Sequence, residues 1–351
     1  MSFKRVYKGI AGLGAIGIVL VALFNFLPSE NLTTLLPITK KIEPKNSLSG
    51  RIGSDGPVLA VKIDDTAPAH PQAGLEDADI VYIEQVEGGL TRLAAIFSSV
   101  IPQVVGPVRS ARISDIEILE QFGRVAFAYS GAQSKLLPVI AAANVINLGA
   151  QRQSPKIYST DPLRRSPTSM MLQAQDLMAN VAKAKLPVAI SKPIGWNFGE
   201  KPETGTAISS VKVSWPANSY DASWSAKEKR WLLSQKERPN LSFSGVHLGP
   251  TTFVIQLISI TDSIYRDKAG GVTPYSQTVG AGKGYVLRDG LAIEANWSRP
   301  SGDQGTSWTT ATGDEIKFAA GQVWIALTDK APAFTPVAVA INEDATPPAA
   351  K

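Results

Sequence analysis

Residues 79–99 read Asp-Ile-Val-Tyr-Ile-Glu-Gln-Val-Glu-Gly-Gly-Leu-Thr-Arg-Leu-Ala-Ala-Ile-Phe-Ser-Ser, two apolar runs separated by a Gly-Gly pair. β-Branched and aromatic residues favour strands, and paired glycines accept the backbone angles of a tight turn. The stretch therefore predicts a β-hairpin with strands at 79–86 and 91–99. A further β-branched run at 58–63, Val-Leu-Ala-Val-Lys-Ile, predicts a strand that precedes the hairpin.

Helical periodicity follows the hairpin, and it then disappears. Apolar residues at a spacing of three predict a helix over 113–122, where Ser114 and Glu117 have the spacing of a capping box. Further helices are predicted near 134–143 and over 168–185. From residue 211 onward the pattern indicates strands and turns, including a hairpin closed by an Asp-Gly pair. The sequence thus predicts an α+β protein with an α/β first half and an all-β second half.

The 351-residue chain is 44% hydrophobic and has a formal net charge of +5. Residues 1–52 contain this whole excess, with seven Lys or Arg against two acids, whereas the remaining chain holds 28 of each sign. A neutral body lacks the basic surface that nucleic-acid binding requires, so no nucleic acid is expected as a partner. The sequence contains no cysteine, which excludes disulfides, thiolate chemistry and a lipid-modified cysteine.

Residues 9–27 form an uncharged run in which Asn25 is the one polar side chain. As a helix this run is about 28 Å long, close to the hydrocarbon thickness of a bilayer. Lys4, Arg5 and Lys8 precede it, so the positive-inside rule places the N-terminus in the cytoplasm. We expect an uncleaved single-pass anchor in the cell membrane with an extracytoplasmic body. A cleaved signal peptide is the alternative.

Composition divides the rest of the chain into folded parts and polar connections. The predicted divisions are a cytoplasmic stub and transmembrane anchor at 1–28, a flexible tether at 29–52, an α/β part at 53–190, a connection at 191–210, a β-rich part at 211–330 and a disordered tail at 331–351. Because the connection is short, we expect the two folded parts to unfold as one unit.

Five arginines stand where predicted elements begin. Arg109 and Arg112 follow a Gly-Pro turn, Arg164 and Arg165 precede the third helix, and Arg92 opens the second strand of the first hairpin. They are candidate ligands of a phosphate or carboxylate, because guanidinium groups bind both in a forked geometry. The alternative is that they pair with acids and hold loops together. Within this set we expect Arg112 to bind the ligand and Arg109, which lies closer to the turn, to be structural.

Asp64 and Asp65 end the first predicted strand and are weak candidates for holding a divalent cation. The two histidines, His70 and His247, lie in no metal or triad spacing, and no hydrolase motif is present. No catalytic residue and no cofactor are therefore expected.

All seven tryptophans lie at or beyond residue 196. Aromatic residues commonly fill the space between strands in β-rich domains, and that is the role we expect for most of them. The alternative is a set of exposed platforms on which sugars stack.

Seven stretches together resemble a known family. They are Pro57-Val-Leu-Ala-Val-Lys-Ile-Asp-Asp, Gly74-Leu-Glu-Asp-Ala-Asp-Ile-Val-Tyr, Val86-Glu-Gly-Gly-Leu-Thr-Arg-Leu-Ala-Ala-Ile-Phe, Val105-Gly-Pro-Val-Arg-Ser-Ala-Arg, Gly280-Ala-Gly-Lys-Gly-Tyr-Val-Leu-Arg-Asp-Gly, Ala295-Asn-Trp and Gly321-Gln-Val-Trp-Ile. The family is the YerB-like family of bacterial envelope lipoproteins, a domain-of-unknown-function family, and the likeness covers about residues 55–328. It implies a layered α+β sandwich of two β-sheets and a helical layer, and it implies no established reaction.

The sequence departs from that family at two points. Many relatives are lipoproteins, whereas this chain has no cysteine and carries the hydrophobic run instead. Relatives also have an Ala-Pro-His-Asn signature after the arginines, and here Arg165-Ser-Pro-Thr-Ser lacks both His and Asn. If that pair has a chemical role in relatives, this chain has lost it.

These observations favour a non-catalytic, membrane-tethered module of the cell envelope that binds a wall polymer or an envelope protein. The alternative is an enzyme acting on a polyprenyl-phosphate or wall glycopolymer. LytR–CpsA–Psr transferases also follow an N-terminal helix and use arginines with acidic residues on a pyrophosphate. That analogy concerns architecture and residue types alone.

Overall fold

The computed structural model describes residues 43–337. Within that range the helices are α1 (Ile113–Glu120), α2 (Leu137–Ala142) and α3 (Ala174–Lys183), with 3-10 turns at Ala67–Ala69, Leu75–Asp77, Glu87–Gly89 and Ala150–Arg152. The strands are β1 (Leu59–Asp64), β2 (Ile80–Gln85), β3 (Thr91–Phe97), β4 (Val104–Val105), β5 (Val125–Ala128), β6 (Val145–Asn147), β7 (Tyr158–Thr160), β8 (Met170–Gln173), β9 (Thr206–Ser214), β10 (Ser219–Ser225), β11 (Arg230–Gln235), β12 (Arg238–Pro239), β13 (Thr252–Leu257), β14 (Ile260–Arg266), β15 (Val272–Ser276), β16 (Gly280–Arg288), β17 (Leu291–Arg299), β18 (Ser307–Thr309), β19 (Val323–Thr328) and β20 (Ala333–Pro336).

One 15-stranded sheet runs through both halves of the body. Its order is β12-β11-β10-β9-β17-β16-β13-β19-β2-β3-β1-β5-β6, with β18 added to β17 and β20 to β9. Strand β19, from the end of the chain, lies between β13 and β2 and is parallel to both. The two halves are therefore joined by backbone hydrogen bonds through the middle of the sheet.

The predicted first strands and hairpin are present. β2 and β3 pair in antiparallel fashion, and β1 lies antiparallel on the other side of β3 and parallel to β5. All six residues of β1 are buried because both faces of the sheet are covered. The Asp289-Gly290 pair closes the β16–β17 hairpin, as predicted, and both residues have positive φ angles.

Helices cover the sheet on both faces. On one face α3 and the small β4-β8-β7 sheet pack over Leu59, Val61 and Ile63. On the other face α1 and α2 pack over Val58 and Ala60. The α+β class is thus confirmed, but the expected pair of sheets is instead one continuous sheet with two small companions, β4-β8-β7 and β14-β15.

Two local predictions need correction. Helix α3 begins at Ala174, and residues 170–173 of the predicted helix form strand β8, where pairing with β4 and β7 overrides the helical period. Helix α1 is capped by Arg112 and Asp115, since the Asp115 side chain accepts the backbone N–H of Arg112. Ser114 and Glu117 bind the β14–β15 region instead.

The folded body is longer than the sequence predicts. Asn46 and Leu48 are buried although they lie in the predicted tether, and Trp196 is buried within the predicted connection. Strand β20 pairs with β9 inside the predicted tail. Short polar segments look alike in sequence whether or not a sheet edge is available to bind them.

No helix within residues 43–337 is both long and apolar enough to span a bilayer. The predicted anchor at 9–27 lies outside the described residues, as do most of the predicted tether and the end of the predicted tail.

Candidate functional site

Four buried charged residues lie on one face of the central strands. Successive side chains of a strand alternate between faces, so Lys62 and Asp64 of β1 share the face of Ala60. On the neighbouring strands, Glu84 of β2 and Arg92 of β3 lie opposite one another, and Arg92 also pairs in register with Asp64. This face becomes polar towards the carboxyl ends of β1 and β2.

Lys62 connects this face to helix α1. Its Nζ atom donates to Glu84 Oε1 and, at 2.8 Å, to Asp115 Oδ1, and all three side chains are fully buried. Asp115 Oδ2 accepts the Arg112 N–H at 2.6 Å. Burial and the nearby Asp115 together raise the pKa of Glu84 to about 7, although Lys62 opposes the rise. The trio fixes where the chain turns from the sheet into α1.

The segment before α1 carries the two arginines of the Gly-Pro motif over the end of the sheet. Arg109 donates its backbone N–H to the carbonyl of Lys62, and its own carbonyl accepts from Ser130, which follows β5. Arg109 and Arg112 therefore stand above the carboxyl ends of two parallel strands, a common place for binding sites in α/β proteins.

A cavity of about 620 Å³ opens at this position, and we call it the arginine pocket. Arg92, Arg109 and Arg112 line it from the first half, together with Ser110 and Leu136. The second half contributes the loop between β14 and β15. That loop is held in place because Gln133 donates to the Arg266 carbonyl and Thr273 to the Glu87 carboxylate. The pocket is thus built by both halves of the chain.

Arg112 is the most fully paired of the three arginines. Its Nε and Nη2 atoms donate to Glu87 Oε2 at 2.9 and 2.8 Å, and Nη1 donates to the Ala111 carbonyl. The burial of Glu87 would raise the pKa of its carboxyl, but the bonds from Arg112 and Thr273 hold the pKa below its usual range. Arg112, which the sequence led us to expect as the ligand-binding arginine, is thus already paired with Glu87 in this structure.

Arg109 is paired more loosely. Its Nε atom lies 2.7 Å from Asp64 Oδ2, but the N–H is not aimed at that oxygen, so the contact is an ion pair without a hydrogen bond. About a quarter of the Arg109 side chain is exposed. Within the described residues its two terminal amino groups make no hydrogen bond, so they remain available to a ligand in the pocket.

Arg92 is buried without an acidic partner. It donates to the Ser110 carbonyl at 2.9 Å, and within residues 43–337 no carboxylate lies within 4.0 Å of its guanidinium. Burial, together with the positive charges of Arg112 and Arg109, lowers the pKa of Arg92 to about 9, although Glu87 and Asp64 oppose the shift. A buried cation beside two others is costly unless an anion completes the site.

The remaining arginines of the predicted site lie elsewhere. Arg164 pairs with Asp161 at 3.1 Å and donates to the carbonyls of Ala69 and Pro71, so it holds loops together. Arg165 is exposed and does not line the arginine pocket. The structure brings three of the five predicted arginines together and separates the other two.

Asp64 and Asp65 diverge although they are adjacent. Asp64 faces Arg109, whereas Asp65 accepts hydrogen bonds from Tyr220 at 2.5 Å and from Asn218 of the second half. Within the described part of the chain, no three His, Cys, Asp or Glu side chains are grouped to hold a metal ion. Asp65 therefore connects the two halves of the chain. The hypothesis that Asp64 and Asp65 hold a divalent cation gains no geometric support.

Sequence reasoning missed several residues of this region. Arg266, the last residue of β14, and Lys268 of the following loop line the pocket, and nothing local in their sequence distinguishes them from an exposed loop. Lys62 did carry a signal, because a single lysine inside an apolar strand must find a buried partner. Of the tryptophans, six are buried and Trp224 packs partly buried against the core, so they fill the β-rich half as expected.

The fold and the pocket define an α+β protein whose continuous mixed sheet carries an arginine-lined cavity at the carboxyl ends of its central strands. The chain belongs to the DUF3048 family of proteins of unknown function. The N-terminal domain of that family matches residues 47–187, and its C-terminal domain matches residues 211–325.

A curated relative and a solved structure both carry the name YerB, so the resemblance noted in the sequence is confirmed. The chain is 52% identical over 54 residues to "Putative lipoprotein YerB" of Bacillus subtilis (strain 168), a stretch that spans 15% of this chain and 16% of the relative. The crystal structure of YerB protein from Bacillus subtilis superposes with a TM-score of 0.69 at 21% identity, covering 83% of this chain and 99% of that one. This second likeness concerns the fold.

Proposed function

We propose that this protein is a membrane-tethered, extracytoplasmic binding module of the cell envelope, rather than an enzyme, and that it binds an anionic group of an envelope polymer or protein in the arginine pocket. The uncharged run at 9–27 supports the tether. The name of the relative, a lipoprotein, agrees with a DUF3048 body held at a membrane surface.

The observation that carries the binding proposal is that Arg92 is buried without an ion-pair partner within 4.0 Å among residues 43–337. Only 8% of this residue is exposed, and its charge is met by a carbonyl but by no carboxylate of the described chain. Fully buried cations in proteins are almost always paired. An anion in the pocket would supply the missing partner.

The two neighbouring arginines, Arg109 and Arg112, support the proposal that the pocket binds an anion. Arg109 lines the same cavity, and its terminal amino groups make no hydrogen bond within residues 43–337, whereas Arg112 is already bonded to Glu87. Charge-assisted hydrogen bonds from guanidinium groups contribute more than neutral ones, especially where solvent is partly excluded. Two arginines thus remain for the ligand, and the third helps to shape the wall.

The test measures thermal stabilisation of the full chain in detergent micelles by sulfate, phosphate, pyrophosphate and malonate at constant ionic strength. A ligand that binds the folded state at a concentration of 100 Kd stabilises it by about 2.7 kcal/mol. We expect at least one anion to raise the melting temperature, and we expect Arg92→Gln to abolish that rise.

The matched control is Arg165→Gln, since Arg165 is exposed and is not one of the residues that line the pocket. This variant removes the same charge from the protein and should keep the response of the parent. The binding proposal is wrong if none of the anions stabilises the parent, or if both variants lose the response equally.

A further inference from the structure

The charges around the arginine pocket do not balance. Five cations line it, namely Arg92, Arg109, Arg112, Arg266 and Lys268. Three carboxylates line the pocket or pair with one of these cations, and a fourth, Glu84 opposite Arg92 on β2, is already bonded to Lys62. Glu87 and Asp267 line the pocket, and Asp64 is paired to Arg109. Two positive charges remain, so a ligand that neutralises the pocket carries two negative charges.

These two charges lie at different depths. Arg92 forms the buried floor, where it donates to the Ser110 carbonyl and has no carboxylate within 4.0 Å among residues 43–337. At the rim, Arg266 and Lys268 are exposed, and Asp267 uses its carboxylate to accept the backbone N–H groups of Ala269 and Gly271. A compact ligand must therefore reach from the floor to the rim with acceptor oxygens on more than one side.

We infer that the ligand group is a doubly charged phosphate, either a monoester or a diphosphate. This inference rests on the proposed function, because it names the chemistry of the anion that the pocket binds. A phosphate monoester carries close to two negative charges at neutral pH and three acceptor oxygens in a tetrahedral arrangement. A phosphodiester has one charge, and a single carboxylate has one charge and two oxygens in a plane, so both leave part of the pocket unmatched.

The pocket also has room for what the phosphate is attached to. A volume of about 620 Å³ is several times that of a phosphate group, and the lining also includes the apolar groups of Ala132, Leu136, Pro167 and Tyr265. Apolar walls with a few convergent polar groups are typical of sites for organic ligands. The substituent of the ester therefore lies against these apolar residues of the lining.

The experiment compares three aromatic probes by calorimetric titration of the full chain. Phenyl phosphate is a dianionic monoester, diphenyl phosphate is a monoanionic diester, and phenylmalonate is a dianion without phosphorus. We expect phenyl phosphate to bind at least about tenfold more tightly than either competitor, which corresponds to one charge-assisted hydrogen bond. Arg92→Gln and Arg109→Gln should each weaken phenyl phosphate about tenfold or more, and Arg165→Gln should not.

The outcomes separate this inference from the proposed function. If diphenyl phosphate or phenylmalonate binds as tightly as phenyl phosphate, and still requires Arg92, the pocket binds anions but is not specific for a phosphate dianion. If none of the probes and no simple anion binds, the proposed function fails as well. Circular dichroism of each variant establishes that a lost response is not a lost fold.

A second arm identifies the source of the phosphate. Phosphatidic acid in mixed micelles presents a monoester at a lipid surface, and phosphatidylglycerol presents a diester at the same surface. Tighter binding of micellar phosphatidic acid than of phenyl phosphate supports a lipid headgroup, and the reverse order supports a soluble or polymer-borne monoester. Equal binding of the two lipids contradicts the inference, because it shows that a single charge suffices.

Discussion

The Nζ atom of Lys62 lies 2.8 Å from the Oδ1 atom of Asp115, and neither side chain is exposed to solvent. The same Nζ atom binds Glu84, and the second oxygen of Asp115 accepts the backbone N–H of Arg112. A continuous series of polar contacts therefore leads from the middle of the sheet to the start of α1. The arginine pocket depends on this series, because Arg112 forms part of its wall.

Replacement of Lys62 by methionine should destabilise the protein strongly. Methionine fills a similar volume but leaves Glu84 and Asp115 buried with no cation between them. Removal of one partner of a buried ion pair costs about 3–5 kcal/mol. Urea denaturation of the full chain measures the loss, with the exposed Lys227→Met as the control. Equal midpoints for the two variants would show that the trio has no net stabilising role.

Glu84 should make the protein less stable as the pH rises towards neutrality. Burial raises the pKa of Glu84 to about 7 from its usual value near 4.5, so between these values the folded state holds a proton that the unfolded state has released. Stability contributed by this group is complete below about pH 4.5 and is lost as the pH rises through about 7, at no more than about 1.4 kcal/mol per pH unit.

The measurement is the difference in unfolding free energy between the parent and Glu84→Gln across that range. Glutamine cannot titrate, so the parent should lose stability relative to the variant as the pH rises. Parallel profiles would mean that Glu84 keeps one protonation state throughout and is held ionised by Lys62.

Two pocket arginines should respond in opposite ways to the same substitution. Arg112→Met leaves Glu87 buried without its forked partner, and a loss of about 3 kcal/mol is expected. Arg92→Met removes a cation that has no carboxylate partner within the described residues and that lies beside two like charges, so stability should change by less than about 1 kcal/mol or increase. Thermal melts without added anion compare the two variants. A larger loss for Arg92→Met would assign the structural role to Arg92.

The two halves should unfold together, because β19 is hydrogen-bonded to β13 on one side and to β2 on the other. The chain offers a separate probe for each half. All seven tryptophans lie at or beyond residue 196, and every helix of the described range ends by residue 183. Urea curves from tryptophan fluorescence and from far-ultraviolet circular dichroism should coincide.

Ile325→Ala tests the same relationship from inside β19. The side chain is buried against the core shared by the halves, and its truncation should cost about 2–5 kcal/mol. Both curves should shift by the same amount. A shift seen only by tryptophan fluorescence would show that the first half folds without β19.

The proposed tether predicts that the body is reached from outside the cell. Protease added to spheroplasts should degrade it, and the full-length band should stay in the membrane pellet after a high-salt wash. Replacement of Leu20 and Leu23 by lysine places two charges in the predicted span and should release the chain from the pellet. Protection of the body, or a soluble form that lacks residues 1–27, would contradict the tether.

The sequence by itself determined those structural features that depend only on residues close together in the chain. The alternation of β1 places Lys62 and Asp64 on one face, and the Asp-Gly pair closes its hairpin because both positions need positive φ. The partnership of Arg164 with Asp161, three residues away, is of the same kind. Such features follow from backbone geometry over a few residues, and the sequence is sufficient to find them.

The pairing of the pocket arginines was decided by tertiary structure alone. Arg112 is satisfied by Glu87, 25 residues away, whereas Arg92 remains without a carboxylate of the described chain, and the rim cations come from a loop in the other half. In sequence these arginines are equivalent, since each has acids nearby. Electrostatic energy depends on distance and burial in space, and the order of strands in the sheet sets both.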